Sequence, residues 1–283
     1  MQKADLIQKL ITDALLEDIG DGDHSTLSTI GLKVKGRAVL KIKEDGILAG
    51  LEFAQSIFNH LQPTAVIDFL KEDGDKMVHG DVAFEVHADA AIILQAERLV
   101  LNCMQRMSGI ATLTRKYVDR LEPYKTRLLD TRKTTPNFRI AEKEAVRIGG
   151  GTNHRFGLYD MIMLKDNHID FCGGIEKAIA KAYNYVQVHK PGIKIEVETR
   201  SLDDVKKVMK AGKINRIMLD NFSPSDIIKA LQIINGEYET EASGGIHYDN
   251  LEAYAETSVD FISSGAIIHQ ARSLDLSLKA IIE

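Results

Sequence analysis

The chain has 283 residues, enough for two compact cores, and 44% of them are hydrophobic, as in an ordinary globular protein. A net charge of −5 argues against general nucleic-acid binding, and the longest apolar runs are too short to span a bilayer. Met1-Gln2-Lys3-Ala4-Asp5 lacks a signal-peptide core, and two cysteines, Cys103 and Cys172, cannot complete a zinc site, so reduced thiols in a cytoplasm are expected.

Residues 4–18 predict an amphipathic helix, with Leu6, Ile7, Leu10, Ile11, Ala14 and Leu15 at helical spacing. Asp18 to Thr26 reads as a polar loop. Short β-like stretches follow at Gly36–Lys43, Gly46–Ala49, Val66–Leu70 and Val82–His87, interrupted by a helix around Glu52–Leu61. They predict a small α+β unit with a mostly antiparallel sheet. A long helix runs from about Ala90 to Leu121. Beyond it come six apolar runs that end in polar or small residues: Arg127–Asp130, Met161–Leu164, Ile193–Val197, Ile217–Leu219, Tyr238–Ala242 and Val259–Ile262. Helices at Ser201–Ala211, Ser223–Ile234 and Tyr248–Ser258 separate the later ones. Alternating apolar strands and helices imply a parallel sheet. Functional-looking strand ends fit an α/β barrel, and an open doubly wound sheet is the alternative. With six or seven strands visible, the barrel is expected to be incomplete.

The strand ends carry the chemistry. From Arg98 to His168 there are fourteen Lys/Arg against seven Asp/Glu, a local +7, so the rest carries −12. Such a basic middle suits a small anion or a solvated face. Asp130-Thr131-Arg132-Lys133-Thr134 places two adjacent cations at one strand end, a fork and a point charge for carboxylate or phosphate. Gly149-Gly150-Gly151-Thr152-Asn153-His154-Arg155 joins three permissive glycines to a donor cluster. Lys165 could form an imine or bind an anion, and His168 could be a ligand or a satisfied histidine. Glu198 and Asp220, on successive strands, suit ribose hydroxyls, metal-bound oxygens, acid–base work or pairing with the site's own cations. Ser243-Gly244-Gly245 and Ser264-Gly265 read as tight turns or as a phosphate cradle.

Together these segments resemble the quinolinate phosphoribosyltransferases, the decarboxylating nicotinate-nucleotide pyrophosphorylases. The likeness begins at Leu16-Glu17-Asp18 and Gly20-Asp21-Gly22-Asp23. It passes through Ala96-Glu97-Arg98 and Ser108-Gly109-Ile110-Ala111-Thr112, and continues through the strand-end motifs to Leu274-Asp275-Leu276-Ser277-Leu278. It implies an N-terminal α/β sandwich (1–110) followed by an open α/β barrel (111–283). It also implies transfer of phosphoribosyl from phosphoribosyl pyrophosphate to quinolinate, with decarboxylation, in a magnesium-dependent homodimer. By this resemblance Arg132, His154, Arg155 and Lys165 surround the quinolinate carboxylates, and Lys133 and Lys165 approach the phosphoribosyl donor. Glu198 and Asp220 face the ribose hydroxyls and magnesium, directly or through water or substrate. Ser243, Gly244, Gly245, Ser264 and Gly265 match the 5′-phosphate cradle, and Arg98 an arginine donated by the partner subunit. The expected catalytic set is Lys133, Lys165, Glu198 and Asp220. Two departures stand out: Pro136-Asn137 where the pattern has Pro-Gly, and Thr199-Arg200 where it has an apolar then an acidic residue. The rival readings are a related phosphoribosyltransferase using another pyridine carboxylate, a lysine-imine aldolase, and a non-catalytic sensor of a phosphorylated ligand.

Overall fold

The computed structural model describes residues 2–30 and 34–281, so Met1 and Glu283, the outer limits of the two expected domains, lie outside the described residues. The first part of the chain runs α1 (Lys3–Ile19), α2 (His24–Thr29), β1 (Lys35–Ile42), β2 (Gly46–Ile47), α3 (Leu51–Leu61), β3 (Val66–Phe69), β4 (Lys76–Met77), β5 (Val82–Asp89) and the long α4 (Ala90–Leu121). Then follow β6 (Arg127–Leu129), α5 (Arg139–Ile148), β7 (Met161–Leu164), α6 (Asp166–Cys172), α7 (Ile175–His189), β8 (Lys194–Thr199) and α8 (Leu202–Ala211). The described chain closes with β9 (Arg216–Asp220), α9 (Pro224–Ile234), β10 (Glu239–Ser243), α10 (Leu251–Ala255), β11 (Phe261–Ser263), α11 (Ala266–His269) and β12 (Leu276–Ala280).

Two compact units result, and they are interleaved in sequence. One takes the chain up to Arg115, Thr134–Gly150 and everything from Ile268; the other takes Lys116–Lys133 and Gly151–Ile267. No single cut in the chain separates them, because α5 and β12 belong with the N-terminal unit.

The first unit is built on an antiparallel sheet of order β12-β1-β5-β3. Strand β1 buries Ala38, Leu40 and Ile42 at the two-residue period of a half-covered sheet. Helix α3 buries Leu51, Phe53, Ala54, Ile57 and Phe58. Its free N-terminal donors are met from a distance: Gly50 and Leu51 donate their N–H groups to Asp73 Oδ1 at 2.8 and 3.0 Å. Helix α1 lays Ile7, Ile11 and Leu15, one turn apart, into the same core.

The second unit is a six-stranded, all-parallel sheet of order β6-β11-β10-β9-β8-β7. The edge strands β6 and β7 do not pair with each other, so the barrel is not closed. Strands β8, β9 and β10 are buried on both faces, for different reasons. Ile195, Val197, Ile217, Leu219 and Ala242 form one apolar face. By alternation, Glu196, Glu198, Arg216, Met218, Asp220, Glu239, Glu241 and Ser243 share the other. Helices α8 and α9 start where capping chemistry places them, with Ser201 and Ser223 accepting the N–H of Asp204 and Asp226.

Some expectations need correction. The polar stretch ending at Thr26 is not all loop: Asp23 caps α2 by accepting the Thr26 N–H at 3.1 Å. The helix expected over Tyr248–Ser258 is a 3-10 turn, Tyr248–Asn250, followed by the short α10. Strand β8 extends to Thr199, past the expected Val197, because the Thr199 hydroxyl is satisfied by donating to the Met218 carbonyl at 2.8 Å. Among the described residues no helix is long and apolar enough to cross a membrane.

Candidate active site

Because the six strands are parallel, their C-terminal ends share one edge of the second unit. Arg132 and Lys133 follow β6, Lys165 follows β7, Glu198 lies near the end of β8, and Asp220 ends β9. Ser243 ends β10 ahead of Gly244 and Gly245, and Ser264 and Gly265 follow β11. The loop carrying His154 and Arg155 joins them, because Thr152 bridges in parallel to Leu129 of β6. Arg98 is not in this set. It lies exposed on α4 in the first unit, with no ion-pair partner among the described residues, and Asp89 pairs instead with Lys35 at 2.5 Å.

The edge brings cations and carboxylates together. Lys165 Nζ donates to Glu198 Oε2 at 2.5 Å. The ammonium is half exposed and the carboxylate buried, so the pair positions both groups more than it stabilises the fold. Asp220 has its pKa raised, first by burial and then by the charge of Glu198, against the opposing pull of Lys165 and hydrogen bonds from Asn221 and Ser243. Two carboxylates thus crowd one another at adjacent strand ends, and their oxygen-only donor set suits a hard divalent cation. Two other cations of the edge, Arg132 and Arg155, lie close to one another. Burial and then the nearby Arg132 charge hold the Arg155 guanidinium below its ordinary pKa. Arg132 Nε is buried, with no hydrogen-bond partner among the described residues. Lys133 is exposed, its backbone N–H donating to Thr131 Oγ1 at 3.1 Å.

His154 is buried. Its backbone N–H donates to Asp130 Oδ1 at 2.7 Å, and its Nδ1 accepts the Arg155 N–H at 2.7 Å. Nε2 lies between two fully buried carboxylates, 2.9 Å from Glu196 Oε2 and 3.2 Å from Glu241 Oε2, without the alignment of a straight hydrogen bond to either. Burial alone would discharge this imidazole. The two glutamates outweigh it and push its pKa up to about 9. Burial and the charge of Glu241 push the Glu196 carboxyl up to about 7. The three ligand atoms are close enough to hold a metal ion. Arg216 already fills the cationic role, donating to Glu241 Oε2 at 3.0 Å and Glu239 Oε2 at 3.1 Å. Two cations facing these carboxylates make a buried ion-pair network, and deleting one partner of such a pair costs roughly 3–5 kcal/mol.

The glycines divide in role. Gly244 has φ +91°, and a Cβ there would lie 2.2 Å from Asn221 Oδ1 and 2.9 Å from its backbone nitrogen. Gly245 faces open space at φ +64°. Ser264 is occupied within the protein: its N–H donates to the Leu129 carbonyl at 3.1 Å and its hydroxyl to the Ile246 carbonyl at 2.9 Å. Gly149 serves packing, since its Cα lies where any side chain would strike the Ala111 carbonyl of α4. His168, offered as a ligand or a satisfied histidine, caps α6: its Nδ1 accepts the Lys165 N–H at 3.1 Å. Sequence reasoning did not place Asp130, Glu196 or Glu241 in the site; the signal was an acidic residue inside an otherwise apolar strand.

Residues 110–279 match the family model for the quinolinate phosphoribosyl transferase C-terminal domain, and residues 23–108 match that for its N-terminal domain. The chain belongs to the quinolinate phosphoribosyltransferase family. Over 288 residues it is 42% identical to a mitochondrial quinolinate phosphoribosyltransferase (decarboxylating) of Nicotiana glauca, covering 96% of this chain and 82% of that one. Over 272 residues it is 42% identical to a probable nicotinate-nucleotide pyrophosphorylase (carboxylating) of Bacillus subtilis, covering 96% and 92%. The solved nicotinate-nucleotide pyrophosphorylase of Francisella tularensis superposes with a TM-score of 0.90 at 40% identity, over 99% of this chain and 98% of that one. Family membership therefore covers both units.

Proposed function

We propose that the strand-end edge joins quinolinate to phosphoribosyl pyrophosphate, releasing carbon dioxide and pyrophosphate and leaving nicotinate mononucleotide, a step of NAD biosynthesis. The observation that carries the reading is the pair of neighbouring guanidiniums, Arg132 and Arg155, crowded together with Arg132 Nε buried and unpartnered. A buried donor without a partner is costly, and an anion with two carboxylates relieves both strains. Arg132 and Arg155, with Lys165 and His154, take the quinolinate carboxylates. Lys133 and Lys165 meet the phosphoribosyl donor. Ser243, Gly244, Gly245 and Gly265 cradle the 5′-phosphate, while Ser264 holds the turn.

Glu198 and Asp220 face the ribose hydroxyls and would hold magnesium, directly or through water or substrate. When bound, the ion offsets the charge of departing pyrophosphate. As pyrophosphate leaves C1, positive charge grows on the sugar, and the same carboxylates stabilise it. The pyridine nitrogen attacks C1, and the positive charge of the resulting pyridinium stabilises the electron pair left on C2 as the 2-carboxylate departs as carbon dioxide; a proton from solvent then takes its place. The protein's part is orientation and charge placement. The active form is a homodimer in which Arg98 of one protomer serves the partner's site, consistent with its exposed position on α4.

A pyrophosphate-release assay tests the reading. Quinolinate should be turned over far faster than nicotinate or nicotinamide, because a monocarboxylate leaves buried cations unpaired. An excess of chelator should abolish turnover and magnesium should restore it. Equal rates with quinolinate and nicotinate would move the enzyme to the related phosphoribosyltransferase.

A further inference from the structure

We infer that Asn250 is a positioning residue for the 5′-phosphate turn: its side-chain amide bridges the Gly245 carbonyl and the His247 N–H, and so aims the donors of the turn. The inference rests on the phosphoribosyl reading of that turn and adds one residue to it.

Asn250 ends the 3-10 turn Tyr248–Asn250 and folds its side chain back along the chain. Its Oδ1 accepts the His247 N–H at 2.8 Å, and its Nδ2 donates to the Gly245 carbonyl at 3.0 Å. Only this setting of the amide serves both groups, since an N–H needs an acceptor and a carbonyl a donor. Ser264 holds the same stretch at a third point, its hydroxyl donating to the Ile246 carbonyl at 2.9 Å. The peptide between Ile246 and His247 is thereby fixed at both ends, its oxygen by Ser264 and its N–H by Asn250. The peptide between Gly245 and Ile246 is fixed through its oxygen. In a trans peptide the N–H points opposite to the carbonyl, so the Ile246 N–H is turned away from Asn250. Among the described residues, the N–H groups of Gly244, Gly245 and Ile246 have no acceptor. Successive N–H groups in a turn make a concavity for an anion.

The brace is needed because of the glycines. Gly244 and Gly245 sit at φ +91° and +64°, and two glycines in succession do not choose such a conformation by their own sterics. Asn250 and Ser264 choose it for them before any phosphate arrives, which spares the ligand the cost of ordering the turn. The 3-10 turn that carries Asn250 is itself anchored. The Tyr248 ring meets the Lys116 ammonium at 4.1 Å, the Arg120 guanidinium at 4.4 Å and the Tyr117 ring edge-on at 5.5 Å.

The test uses full-length Asn250→Ala and Asn250→Asp enzymes. Alanine removes both bonds. Aspartate keeps the acceptor but sets a carboxylate oxygen against the Gly245 carbonyl. Each should raise KM for phosphoribosyl pyrophosphate by about tenfold, the scale of one lost hydrogen bond, with KM for quinolinate changed by less than about twofold. An asparagine that only stabilised the fold would lower Tm and leave both KM values alone. An unmoved KM for phosphoribosyl pyrophosphate in either folded variant would overturn the proposal, as would equal rises for both substrates. If neither variant folds, hydrogen exchange in the wild type decides. In the free enzyme the His247 N–H should be better protected than those of Gly245 and Ile246, and phosphoribosyl pyrophosphate with magnesium should then protect the latter two. A His247 N–H no better protected than its neighbours rejects the brace. A wild type that neither binds nor turns over phosphoribosyl pyrophosphate would instead sink the functional reading, so the two failures are distinguishable.

Discussion

Arg132 carries the sharpest expectation of any single residue. Its Nε is buried without a partner, so the substrate carboxylate is expected to supply one. Arg132→Ala should cost roughly 3 kcal/mol in kcat/KM for quinolinate, the scale of one preorganised donor. Arg132→Lys should recover only part of this, because the planar fork is lost. Steady-state kinetics of both variants check it, and near-normal alanine activity would place the pocket elsewhere. Arg132 was legible in the sequence because two adjacent cations at a strand end are conspicuous. Glu196 and Glu241 were not, because a buried acid inside a strand looks the same on paper as an alternate residue facing water. Only His154 and Arg216, brought in by the fold, show that these acids are paired inside. Asn137, where the family pattern has glycine, is explained by its backbone: φ is +63°, and asparagine tolerates that left-handed conformation better than most residues.

Among elements, the turn joining β10 to the following 3-10 turn has little room. Gly244→Ala would drive a methyl into Asn221, whose own φ is +57° and whose N–H donates to the Ser243 carbonyl at 2.8 Å. The end of β9 must then shift, and Asp220 with it. We expect KM for phosphoribosyl pyrophosphate to rise by about tenfold or more, with a smaller change for quinolinate. Equal effects on both substrates would argue against a phosphate cradle at this turn. The strands of the parallel sheet were legible because their outer faces are continuous apolar surface, and α8 and α9 because a serine cap precedes each. The helix α5 was harder to see: it buries Glu142 and Lys143, which blur its apolar stripe, and Arg106 satisfies Glu142 from far along the chain at 2.9 Å. The six-residue α2 has no apolar stripe at all, and its cap, Asp23, reads equally well as a turn residue.

At the scale of the whole molecule, shared sites make a prediction that a monomer cannot satisfy. Arg98→Ala and Lys165→Ala enzymes should each be nearly inactive. After subunit exchange, about half of the dimers are mixed, and each mixed dimer holds one intact site, so activity should return to roughly a quarter of wild type. No recovery despite confirmed exchange would confine Arg98 to its own chain. The two-unit architecture was legible in the sequence, but the interleaving was not, because a strand as short as β12 does not announce its partner. That partner has a consequence for how the protein is made. Strand β12 pairs along β1, with Leu40 opposite Leu278, across more than two hundred intervening residues. On the ribosome, the parallel sheet can be complete while β1 still shows a bare edge of unpaired N–H and C=O groups. For that interval the nascent chain carries an adhesive strand of its own. A late β12 is therefore both the last piece of the antiparallel sheet and the cover that keeps newly made chains from pairing with one another.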